Sequence, residues 1–144
     1  MIHDAVNHVD HIAVLVRDVD ESLPAFLQRF GLTLLQDERL PEAGVRVAYL
    51  DAGNTLIQLV EPLGPGPLLD HLEQHGEGLH HVCFAVGDIE ATIARLAPGT
   101  AVPVRIGGRG RRTAFLPPGP SGLRAELTEI EPVTELRGIA RGTT

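Results

Sequence analysis

The chain has 144 residues, 43% hydrophobic and 22% charged, with no tryptophan and one tyrosine; this composition fits one domain with an aliphatic core and leaves no room for two ordinary ones. Its formal net charge of -7 argues against broad attraction to nucleic acid or an anionic membrane, and no apolar stretch approaches the roughly 20 residues that cross a bilayer. All 12 basic residues are arginine, which excludes Schiff-base chemistry and a phosphate loop ending in Gly-Lys, while the single cysteine excludes an internal disulfide and a thiolate zinc cluster.

Taken in chain order, a strand-like run from Val9 to Val16 leads into an acidic and Ser-containing cap region, Asp18 to Ser22, and a short amphipathic helix that should stop near Gly31. Strands are expected at about Thr33 to Asp37, Val45 to Leu50 and Thr55 to Glu61. A Gly/Pro connector, GPGP at 64 to 67, and a short helix over LLDHLEQH follow. The series then recurs. It has a strand from Leu79 to Val86, a cap region from Asp88 to Thr92, a helix ending before Pro98-Gly99, and strands at Val102 to Arg105, Arg112 to Leu116 and Leu123 to Ile130. The expected layout is one domain: module one at about 7–62, connector 63–77, module two at 78–130, and a polar, loosely held tail over 131–144. The opening MIHDAVNHVDH has no apolar core of signal-peptide length, and with one cysteine a cytoplasmic location is expected.

DHIAVLVRDVDESLPAF, from Asp10, aligns with HHVCFAVGDIEATIARL, from His80, at a constant offset of 70 that puts His11 on His81 and Asp18 on Asp88. VAYLDAG, from Val47, falls on TAFLPPG, from Thr113, and QLVE, from Gln58, on ELTE, from Glu126. A self-similar chain indicates one supersecondary unit, βαβββ, used twice. The register pairs His11 with His81 at the start of each first strand and Gln58 with Glu126 in each last strand. Two imidazoles, an amide oxygen and a carboxylate suit a divalent metal with open positions. Strand parity puts His11 on the face of Ala13 and His81 on that of Cys83 and Ala85, small neighbours as a cleft lining requires; Val82, Phe84 and Val86 fill the core, and His80 should point away.

HVDHIAVLVRDVDES, LPEAGVRVAYLDAGNTLIQLVEPLGP, GEGLHHVCFAVGDIEATIARL and AFLPPGPSGLRAELTE together resemble the vicinal oxygen chelate superfamily (glyoxalases, bleomycin-resistance proteins and dioxygenases), and within it the pattern is most similar to methylmalonyl-CoA epimerases. The resemblance covers about residues 7 to 130. It implies an α+β fold in which paired βαβββ modules form a U-shaped, mostly antiparallel eight-stranded sheet around a metal cleft. It also implies a divalent ion (Co, Mn, Zn, Ni or Mg) held by His11, Gln58, His81 and Glu126, and a possible homodimer. The implied activity is that of an isomerase: 1,1-proton transfer on a methylmalonyl-CoA-like 2-substituted malonyl thioester through a metal-stabilised enolate. One Glu and one Gln leave a divalent site at a net charge of about +1, better matched to a dianionic enolate-carboxylate than a two-carboxylate cage. Glu126 doubles as base by this resemblance. A second Glu that some epimerases carry on the strand after PE-x-GV is replaced by Val47, leaving Glu42 as the nearest acidic substitute.

The His-Pro-Lys turn common in the family reads Leu116-Pro117-Pro118-Gly119 here, and Arg124 interrupts the apolar approach to the final Glu, so the acyl group can differ from methylmalonyl. Arg105, Arg109, Arg111 and Arg112 are candidates to hold CoA phosphates or another anionic substrate. His71 and His75 stand four apart on the connector helix without an HExxH motif and read as a solvated face, and Cys83 reads as a packed side chain. The competing readings are a glyoxalase I-like lyase or a dioxygenase on the same scaffold, and a non-catalytic small-molecule-binding or resistance protein.

Overall fold

A computed structural model describes residues 5–130 of the chain, and the tail expected at 131–144 lies outside the described residues. The elements are β1 (His8–Leu15), α1 (Val19–Pro24), β2 (Thr33–Leu40), β3 (Val45–Asp51), β4 (Leu56–Pro62), α2 (Pro67–His75), β5 (Gly78–Val86), α3 (Ile89–Leu96), β6 (Arg105–Ile106), β7 (Arg112–Phe115) and β8 (Ala125–Glu129). The repeat is visible in the hydrogen bonds that start α1 and α3. The Asp18 carboxylate accepts from the Asp20 amide (2.9 Å) and that of Asp88 from the Ala91 amide (3.0 Å). The Ser22 and Thr92 hydroxyls donate back to the Asp18 and Asp88 carbonyls, and Glu61 and Glu129 accept from the Val19 and Ile89 amides. The carboxylate contacts satisfy first-turn N–H donors that a helix cannot satisfy internally. Pro24 has no N–H to continue α1, and the chain widens into a π-helical turn over Ala25–Arg29 that ends at Gly31, φ +71°.

The eight strands form one sheet in the order β2-β3-β4-β1-β5-β8-β7-β6. The β1–β5 pair is antiparallel and lies at the centre, and each half repeats the same order outward from it. β1 pairs with β4 and β5 with β8 in parallel, while the other neighbours are antiparallel, so the sheet is mixed. Alternate residues serve opposite faces. Ala48, Leu50 and Leu59 pack under α1, and Phe84, Val86, Ala114 and Leu127 under α3. On the other face, Ala13, Leu15, Val47, Tyr49 and Val60 meet Leu68, Leu69 and Leu72 of α2. β6 is displaced from the expected Val102 to Arg105. Pro103 offers no ladder donor, and Val102 and Val104 pack into the α3 core instead.

The sheet curls into a half-barrel. β2 and β6 are its opposite edges, yet the Arg109 amide in the β6–β7 turn donates to the Glu38 carboxylate of β2 at 2.7 Å. The α2 face is therefore concave. No helix among the described residues is long and apolar enough to cross a membrane.

Candidate metal centre

On the concave face the two halves bring His11, His81 and Glu126 together. Their ligand atoms lie within 4.8 Å of one another. Glu126 Oε1 is 3.1 Å from His81 Nε2 and 3.4 Å from His11 Nε2, and the His11 nitrogen is buried without a hydrogen-bond partner. Gln58 is one contact away: its Nε2 donates to the Tyr49 hydroxyl at 3.0 Å, and the Tyr49 ring meets the His11 ring edge-on at 5.7 Å. Ala13, between Gln58 and His81 in the strand register, and Phe115, 4.9 Å from the His81 ring, add apolar walls.

Each histidine has a partner behind it that strand parity hides. In the β1–β5 ladder, Val9 pairs with Phe84 and His11 with Cys83, leaving Asp10 extra; Ala13 pairs with His81 and Val14 with Leu79, leaving His80 extra. Each extra residue forms a β-bulge, which re-aims side chains that regular alternation would send to opposite faces. Asp10 thereby accepts from His11 Nδ1 at 2.7 Å, and His80 Nδ1 stands 2.8 Å from His81 Nδ1. His80 does not point away from the cluster as expected. Its ring also meets that of His71 on α2 at 5.1 Å, and His71 meets His75 at 4.5 Å. The bulges occupy equivalent places in the repeat, with an acid in one half and an imidazole in the other.

Burial opposes ionisation of Glu126, but its contacts with His11 and His81 outweigh that and hold its carboxyl well below the usual range. Burial also opposes protonation of His11, yet Asp10 and Glu126 together raise its pKa. Burial, with His81, Arg124 and His71 nearby, depresses His80 to about 4 and keeps it neutral. Burial raises the Cys83 thiol far above its usual value and keeps it protonated in the metal-free protein. Two imidazole nitrogens converging on one carboxylate oxygen leave lone pairs facing each other unless a proton or a cation lies between them. The donor set, the orphaned His11 Nε2 and a carboxylate orienting the far side of the same ring all fit a divalent cation.

The other predicted residues divide. Arg109 and Arg111 reach Asp10, at 2.5 Å and 3.5 Å. Arg112 turns to the opposite face, where it pairs with Glu90 and Glu129, and Arg105 is exposed on β6. Glu42 is exposed in the 41–44 turn before β3 and, among the described residues, has no hydrogen bond or ion pair to the cluster. Asp10, Tyr49 and His80 are the site residues that the sequence alone did not point to. For Asp10 and His80 a signal was present, because the repeat aligns them immediately before the paired histidines.

The family model described as Glyoxalase/Bleomycin resistance protein/Dioxygenase superfamily matches residues 10–115. The ethylmalonyl-CoA/methylmalonyl-CoA epimerase of Cereibacter sphaeroides is 31% identical over 136 residues, covering 89% of this chain and 99% of its own. The crystal structure of methylmalonyl-CoA epimerase from Mycobacterium tuberculosis superposes with a TM-score of 0.81 at 27% identity, covering 92% of this chain and 94% of that one. A variant of the Streptomyces coelicolor methylmalonyl-CoA epimerase, solved in complex with 2-nitronate-propionyl-CoA, gives a TM-score of 0.78 at 28% identity over 87% of this chain and 98% of its own.

Proposed function

Because the chain belongs to the glyoxalase/bleomycin resistance protein/dioxygenase superfamily, we propose that it is an epimerase that moves the α-proton of a methylmalonyl-CoA-like 2-substituted malonyl thioester. The observation that carries this reading is the meeting of His11, His81 and Glu126 from the two halves of the sheet. The similarity to epimerases that act on such thioesters supports it. His11, His81, Glu126 and Gln58 would hold a divalent cation. When bound, that cation supplies Lewis-acid chemistry, drawing off the negative charge that develops on substrate oxygens as the proton leaves.

The chain's own groups divide the remaining work. Glu126 remains a carboxylate at neutral pH, as a proton acceptor at its oxygen atoms requires. Asp10 fixes the His11 ring by holding Nδ1, and His80 does the same for His81. Tyr49 accepts from the amide nitrogen of Gln58, and the amide oxygen is the atom that would serve the cation. Ala13 and Phe115 keep the walls apolar, so that charge developing there is poorly screened by water. Glu42 gains no support as the second proton carrier from its exposed turn; Glu126 itself or a water molecule serves instead.

The test is incubation of the metal-loaded protein with (2R)- and (2S)-methylmalonyl-CoA and their ethyl homologues in D2O. Deuterium should appear at C2 with interconversion of the two configurations. Absence of exchange on every thioester, from a protein with one bound metal per chain, would overturn the reading.

A further inference from the structure

We propose that Arg109 is the specificity-determining residue for a free carboxylate on the substrate, so that the cleft favours thioesters carrying an α-carboxylate over otherwise identical ones without it. This rests on the thioester reading above and goes beyond it in naming the group that reads the acid.

The backbone is shaped to place this side chain. Arg109 adopts φ 62° and ψ 19°, a left-handed conformation disfavoured for a residue with a Cβ, at the tip of the turn joining β6 to β7. Its neighbours Gly107, Gly108 and Gly110 let the turn close. A Cβ at Gly108 would collide with the Tyr49 hydroxyl, so glycine there is what allows the turn to lie directly on the cleft wall. The Glu38 carboxylate, accepting from the Arg109 amide, holds the turn across the mouth of the half-barrel.

The side chain then has more capacity than its protein partners use. Its guanidinium carbon lies 4.5 Å above the centre of the Tyr49 ring, and Nη2 and Nη1 donate to the two Asp10 oxygens at 2.5 and 3.4 Å. Arg111 Nη1 donates to the same carboxylate at 3.5 Å. Two guanidinium groups meet at the Asp10 carboxylate, with the Glu38 carboxylate engaged at the backbone of the same turn, so Arg111 carries its charge, partly exposed, beside the cluster. Asp10 also accepts from His11 Nδ1, which puts this charge one side chain from the proposed metal ligands. The Arg109 Nε is buried with no acceptor. A loop clamp does not need the second guanidinium, whereas a carboxylate arriving in the cleft uses it beside Arg109, as guanidinium groups bind carboxylates with paired N–H donors.

The experiment compares methylmalonyl-CoA with propionyl-CoA, which differ only in the carboxylate, by calorimetric binding to the metal-loaded full chain, the R109Q and R109K variants, with thermal melts alongside. The wild type should prefer methylmalonyl-CoA, and R109Q should reduce that preference about 10- to 100-fold while leaving propionyl-CoA binding nearly unchanged. R109K keeps the charge facing Asp10 and preserves the fold; it should still reduce the preference at least severalfold, because an ammonium lacks the planar fork. A preference unchanged in folded R109K, or both ligands weakened equally in R109Q, would assign Arg109 to holding the loop and overturn the proposal. If deuterium exchange at C2 occurs in that circumstance, the epimerase reading survives alone. If the wild type binds neither thioester, both fall.

Discussion

Tyr49→Phe tests the site with the removal of a single oxygen. Tyr49 is 2% exposed and Gln58 6%, so neither group can turn to bulk water without moving the wall. The ring remains, and with it the packing against Leu15, Val47 and Val60, so no cavity forms. The hydroxyl's bond from Gln58 Nε2 is lost, a neutral pair contributing about 1 kcal/mol, and the orphaned amide donor adds a desolvation penalty of about 1–3 kcal/mol. Relief from burying the hydroxyl offsets about 1–2 kcal/mol of this. The expected net loss in metal-free protein is about 1–2 kcal/mol, or a fall in Tm of roughly 3–8 °C for a chain of this size. Urea unfolding of the wild type, Y49F, Q58A and the double variant should give a coupling of about 0.5–1.5 kcal/mol between the two positions. Metal affinity in Y49F should fall about tenfold, because nothing then orients the Gln58 amide. Additive stability effects with unchanged metal affinity would show that the hydroxyl does not hold the amide, and would remove Gln58 from the proposed ligand set.

Three further outcomes follow from the same contacts. Glu126→Gln keeps the shape but removes the anionic member of the cluster, and divalent-metal affinity measured by titration calorimetry should fall at least about 100-fold while far-ultraviolet circular dichroism stays unchanged. Asp10→Asn should weaken metal binding about 10- to 100-fold through loss of the His11 orientation. The same variant should cost about 1–3 kcal/mol in chemical denaturation, less than the 3–5 kcal/mol of a fully buried broken pair, because the Arg109 and Arg111 side chains left behind are 15% and 27% exposed and partly hydrated. Leu127→Ala, at a fully buried position under α3, should destabilise by about 2–5 kcal/mol without altering metal stoichiometry.

The duplicated module was legible because it repeats chemistry as well as hydrophobicity: the cap acids Asp18 and Asp88 and the histidines His11 and His81 recur at one offset. The bulges were not. Alternation along a strand assumes an unbroken register, and one extra residue in β1 and one in β5 turn Asp10 and His80 toward the histidines beside them, with no glycine or proline to mark the place. β6 escaped for a related reason, since the valines flanking Pro103 advertise a strand that the missing donor prevents. In the arginine-rich loop Arg105, Arg109, Arg111 and Arg112 were legible only as a group of candidates for an anion. Only the curl of the sheet decides that Arg109 and Arg111 face the cleft while Arg112 serves the helix side.

Duplication by itself would produce a site with twofold symmetry, and the chemistry proposed here needs the opposite. The symmetric pair is His11 and His81; the positions where the halves differ decide the charge. The first half offers an amide, Gln58, one contact from the centre and sets its acid, Asp10, behind the histidine, while the second places Glu126 at the centre and a neutral imidazole, His80, behind. One carboxylate at the centre leaves a bound divalent cation with about one unit of positive charge toward substrate. The outer acid is not free to reduce that charge, because Arg109 and Arg111 already compensate it. A symmetric arrangement with carboxylates at both central positions would neutralise the cation and weaken its hold on the negative charge that develops when a proton leaves the α-carbon. On this reasoning, exchanging Gln58 for Glu should tighten metal binding and at the same time slow proton exchange, a combination that no loss of folding or of metal can mimic.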